Sequence, residues 1–140
     1  MKPQYIVLMG ILSFIFGGCE KPDFDKLVYE SYNNSVAPEY REQTTIEVST
    51  DKITYTTTSA NEAPNIKTTA INSEDFEKIK NKIYELSVIK CKSSDECDGG
   101  GIRTVTGYKK GKTVFSNTHY GCHDCPGFYE LLTFLNNFGQ

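Results

Sequence analysis

Four cysteines and both histidines fall between positions 91 and 125: Cys91, Cys97, His119, Cys122, His123 and Cys125. Three chemistries use such a set. In an oxidising compartment an even group of four thiols pairs into two disulfides, with three connectivities open. CX₅C and CX₂C with two histidines could instead hold zinc through thiolate and imidazole ligands, although the first spacing exceeds the usual knuckle. Finally, Cys122-His123-Asp124-Cys125-Pro126 sets a CxxC ahead of a helix start, where the dipole lowers a thiol pKa and favours thiol–disulfide exchange.

Other combinations in the same region are weaker. His119, His123 and Asp124 could form an acid–base set, but no GxSxG-type nucleophile accompanies them. Asp95, Glu96 and Asp98 lack the alternating oxygens and terminal glutamate of a calcium loop. The adjoining Gly99-Gly100-Gly101 is no phosphate loop, because no GK[ST] follows it. The site reading is therefore disulfide candidates at Cys91, Cys97, Cys122 and Cys125, with no catalytic residue, metal or cofactor assigned.

The elements around the cysteines bring them together. Ile102 to Tyr108 and Lys112 to Thr118 read as a hairpin across Lys109-Lys110-Gly111-Lys112, since glycine can take the positive φ of a tight turn. If Tyr108 faces Thr113, Ile102 faces His119, and both cysteine-bearing loops leave from one end of the hairpin. Cross-loop disulfides would then tie the end of one helix to the start of the next. Pro126, suited to a first helical position, opens a final helix with Phe128, Leu131, Leu132, Leu135 and Phe138 as its apolar stripe.

Upstream, residues 25–32 alternate loosely as a first strand, and Arg41 to Thr58 form a hairpin in which Ile46 and Val48 answer Ile53 and Tyr55. Residues 66–71 add a short strand. Asn72-Ser73-Glu74-Asp75 then opens a helix, with a capping side chain followed by two acids at its positive end. Phe76, Ile79, Ile83 and Leu86 stripe that helix amid lysines and glutamates. The order β-ββ-β-α-ββ-α predicts an α+β fold: an antiparallel sheet of about six strands covered by two helices.

The N-terminus bears on location. One lysine, the apolar run Ile6 to Phe16 and two small residues precede Cys19, which is the order of a signal peptide. As a helix the run would rise only about 16 Å, against about 30 Å of bilayer hydrocarbon. Phe16-Gly17-Gly18-Cys19 resembles the lipobox of bacterial lipoproteins, with Phe16 in place of the usual Leu. The resemblance implies cleavage before Cys19 and a covalent diacylglyceryl group and N-acyl lipid on that residue. Such multiple chains anchor stably. Glu20, in place of the aspartate that retains some lipoproteins in the inner membrane, points to the outer membrane. The expected organisation is a signal peptide over 1–18, a lipidated cysteine and short linker over 19–24, and one domain over 25–140. The remainder resembles small uncharacterised Gram-negative lipoproteins without a diagnostic motif.

Removing 18 of the 140 residues takes away one lysine, leaving 122 residues with 14 basic and 18 acidic side chains, a balance of −4. That charge excludes a nucleic-acid surface, which needs a basic excess. The expectation is a monomeric, membrane-anchored lipoprotein of the cell envelope that binds rather than catalyses. The alternatives are a thiol–disulfide oxidoreductase using Cys122 and Cys125, or an immunity- or inhibitor-type module.

Overall fold

A computed structural model of the chain describes residues 21–33, 36–86, 101–121 and 125–139. Six antiparallel strands form one sheet: β1 (Lys26–Asn33), β2 (Glu42–Ser49), β3 (Lys52–Ser59), β4 (Asn65–Ala70), β5 (Gly101–Lys109) and β6 (Lys112–Tyr120). The sheet order is β4-β3-β2-β1-β5-β6, which places the first strand at the centre. Helix α1 (Ser73–Leu86) follows β4, and α2 (Pro126–Asn136) follows β6. The α+β layout read from the sequence is thus the observed one.

Alternation decides which face each residue takes. Leu27, Tyr29, Ile46, Val48, Ile53 and Val105 point to the covered face and are fully buried. Phe76, Ile79 and Ile83 of α1 and Phe128, Leu131 and Leu135 of α2 close over them. Asn72 caps α1 reciprocally: its Oδ1 accepts from the Asp75 amide at 2.9 Å, and its own amide donates to Asp75 Oδ2 at 3.3 Å. Tyr55 joins the layers by donating its hydroxyl to the Leu135 carbonyl at 2.5 Å.

The opposite face is a hydroxyl surface. Thr54 and Thr68 meet across β3 and β4 at 3.2 Å, Thr104 and Thr118 across β5 and β6 at 3.1 Å, and Thr106 and Ser116 at 3.0 Å. Threonine satisfies both demands of such a face, since it is β-branched for the strand and polar towards water.

The β5–β6 hairpin corrects the expected register. Tyr108 does face Thr113, but the pairing shifts between Gly107 and Tyr108, so Arg103 rather than Ile102 lies opposite His119. At the shift the Phe115 ring fills the space that a Cβ on Gly107 would occupy, so only glycine fits there. The extra residue turns His119 onto the covered face. Gly107→Ala is expected to cost about 1–3 kcal/mol in denaturant unfolding, as the ring is forced out of place. At the turn, Lys110 and Gly111 take positive φ values of 49° and 75°.

The segment expected to be a linker is part of the domain from Lys21 onward. Phe24 is 1 % exposed and packs edge-on against Phe76, Tyr84 and Phe115. Tyr84 donates to the Pro22 carbonyl at 2.5 Å, and the Asp25 amide donates to the Tyr108 carbonyl at 2.8 Å. Asp23 pairs with Lys109 at 2.7 Å and with Lys80 at 2.9 Å. A polar, proline-containing stretch looks like a spacer, but one aromatic side chain with a socket to enter draws its neighbours in.

The hydrogen bonds from Lys109 and Lys80 hold the Asp23 carboxyl down to about 2. A depressed carboxyl pKa contributes stability that is present above the unfolded value of 3.8 and is lost as pH falls through about 2. Proteolytic nicking beside Lys21 is therefore expected to accelerate as pH drops from about 4 to about 2, with an acid-active protease as probe. In Asp23→Asn the nicking rate should be higher from the outset and flat across that window.

Candidate functional site

Strand β1 runs from the pinned N-terminal corner to the opposite end of the sheet, about 26 Å away. The row Thr44, Ser31, Arg103 and His119 crosses four strands there, and Glu42, Asn33 and Gly101 form the next row outward. A short 3₁₀ turn, Pro38–Tyr40, stands beside them and leaves Tyr40 75 % exposed. Of these, Ser31, Asn33, Tyr40, Glu42, Thr44, Gly101 and Arg103, with Tyr32, line a groove of about 480 Å³.

Arg103 is the chemical centre of the groove. Its guanidinium stacks 4.3 Å from the centroid of the Tyr129 ring, so the first turn of α2 fixes its direction. Among the described residues no carboxylate pairs with it. Beneath it, the Tyr29 hydroxyl and Arg103 Nη1 are buried, with the side chains of Arg103 and Ser31 close to the phenol. Burial pushes the Tyr29 phenol up, and the nearby Arg103 charge only partly offsets this, so the phenol stays neutral. His119, 2 % exposed, stacks on Phe128 with centroids 5.4 Å apart and planes 26° apart. Its ring is thus packed between β6 and the first turn of α2.

This arrangement can recognise, and two features set what it recognises. A rigid guanidinium fits a carboxylate in a bidentate way, at low entropic cost once its plane is held. Glu42 stands across β1 as an acceptor for a cationic or amide group. Ser31, Thr44 and Asn33 supply neutral donors and acceptors between these charges. A second depression, about 490 Å³, lies on the open face near Lys26 and Glu47, but these two satisfy each other at 2.7 Å.

The cysteine and histidine candidates divide as follows. Cys125 is disulfide-bonded and 3 % exposed, and it occupies the N-cap position of α2 just ahead of Pro126. Cys19, Cys91, Cys97, Cys122 and His123 lie outside the described residues, as do Asp95, Glu96, Asp98 and Asp124. The Gly121 amide donates to the Gly101 carbonyl at 2.7 Å, which ties the start of β5 to the end of β6. Both loops that carry cysteines therefore depart from one point, beside the groove. Among the described residues no group of three His, Cys, Asp or Glu side chains is placed to hold a metal, and no helix is long and apolar enough to cross a membrane.

Sequence reasoning passed over Arg103, Ser31, Tyr40 and Glu42. One signal was available: Arg103 is in phase with Val105, so a charge falls on the buried side of a strand. No family model matches the chain, and no curated protein is detectably similar to it.

Proposed function

We propose that this chain is a lipid-anchored binding module of the cell envelope, acylated at Cys19 and held on the outer membrane. In this reading it engages an extended peptide segment of a partner protein through the groove at the far end of β1, in the manner of an inhibitor or immunity module. The observation that carries it is Arg103, immobilised on the Tyr129 ring at the groove wall, with Glu42 across β1. Opposite charges about two strand spacings apart, with an exposed tyrosine ring beside them, suit a strand-like segment bearing charges of both signs. The FGGC sequence supports the anchor.

The four cysteines of the domain form two bridges in this reading, cross-loop in connectivity, each stabilising by about 2–4 kcal/mol. Their role is structural, so their reduction potentials should lie below about −300 mV. A value between about −270 and −120 mV would transfer the function to thiol exchange at Cys122 and Cys125.

The direct test of the groove is a photo-crosslinking amino acid at position 40 in living cells. A discrete protein adduct that disappears in Arg103→Gln supports the reading. No adduct, or one indifferent to Arg103, sinks it. Intact-mass analysis of membrane-extracted protein tests the anchor separately, through the acyl additions at Cys19.

A further inference from the structure

One residue, Glu20, separates Cys19 from Lys21, where the described chain begins. Chain continuity places Cys19 within about 14 Å of Asp23, and Asp23 is locked to Lys109 and Lys80 at 2.7 and 2.9 Å. Asp25 holds the same turn, accepting from the Lys110 amide at 2.9 Å. A domain acylated at Cys19 therefore cannot stand off from the bilayer, and the corner built by residues 21–25 and the β5–β6 turn must face it.

That corner has the charge of a membrane-contacting surface, although the chain as a whole is acidic. Of the acids there, Asp23 is matched by Lys109 and Lys80 and Glu77 by Lys80, while Asp25 accepts from the Lys110 amide and keeps its charge beside the lysines. Lys21, Lys110 and Lys112 are exposed, and among the described residues none has a carboxylate partner. Lys21 lies 5.0 Å over the Tyr84 ring, whose hydroxyl donates to the Pro22 carbonyl. The opposite end of the sheet instead carries Glu39, Glu42 and Glu62 together with Arg41 and Arg103, so it has no cationic excess.

We infer that the β5–β6 turn, with Lys21, is a second membrane contact that rests on anionic phospholipid headgroups. The inference rests on the lipidation of Cys19. The contact orients the domain: β1 runs away from the bilayer, and the Arg103 groove is presented outward. Each lysine near an anionic surface strengthens association by about fivefold, so the turn and the acyl chains cooperate.

The experiment uses membrane-extracted full protein, its mass first measured, reconstituted into phosphatidylcholine vesicles with or without phosphatidylglycerol. An impermeant amine-reactive reagent then modifies exposed lysines, with Lys67 on β4 as internal reference. Labelling of Lys110 and Lys112 should fall about fivefold relative to Lys67 when phosphatidylglycerol is present. It should recover in 1 M salt, where the screening length is about 3 Å. Equal labelling in the two vesicle types, with acyl mass on Cys19, overturns the headgroup contact and leaves the anchor standing. A mass without acyl addition overturns the anchor, and the contact with it.

Discussion

Phe24→Ala unfolds this domain in appreciably lower urea, with an expected loss of about 3–5 kcal/mol. The ring is 1 % exposed and touches three aromatic side chains from both helix-side and sheet-side elements. Its removal leaves a cavity that α1 cannot fill, because Asn72 and Asp75 fix the start of that helix. A true linker residue would change the midpoint by less than about 0.5 kcal/mol. A shift of that small size would show that residues 21–25 do not belong to the core. Phe24→Leu should recover part of the loss, since it restores most of the apolar volume.

Phe128→Ala is expected to cost a comparable amount, about 3–5 kcal/mol, and to do more than destabilise. Phe128 is fully buried and stacks on His119, and the next residue, Tyr129, carries the Arg103 guanidinium. Losing the ring lets the first turn of α2 settle, so the arginine loses its platform. Unfolding curves measure the first effect. The second should appear as loss of the position-40 crosslink under conditions where circular dichroism still reports a folded chain. Tyr129→Ala provides the comparison: its ring is 48 % exposed, so it should spare most of the stability and still abolish the crosslink.

How much of this was legible depended on whether a residue's role is set locally. Strands β2 and β3 announce themselves because Ile46, Val48, Ile53 and Tyr55 alternate with polar residues, and alternation is a property of one strand. Helix α1 is equally plain, since Asn72 caps it and its apolar stripe recurs at helical spacing. Pro126 marks the start of α2 to the residue. Phe24 was hidden because a single aromatic after a polar, proline-containing stretch carries no period. The bulge was hidden for a different reason: Gly107 reads as an ordinary small residue until Phe115 is seen lying on it.

The sequence by itself determined the order and kind of the elements, because propensity, capping and short motifs act within a few neighbouring residues, and FGGC is what motivates the proposed anchor. Only the tertiary structure decided which residues make the groove. Ser31, Glu42 and Arg103, and the Tyr129 ring that holds Arg103, come from four separate elements, and a one-residue shift at Gly107 determines which residue faces His119. Side-chain direction in a strand reverses with every residue, so long-range register, which no local pattern encodes, chose the face on which the chemistry stands.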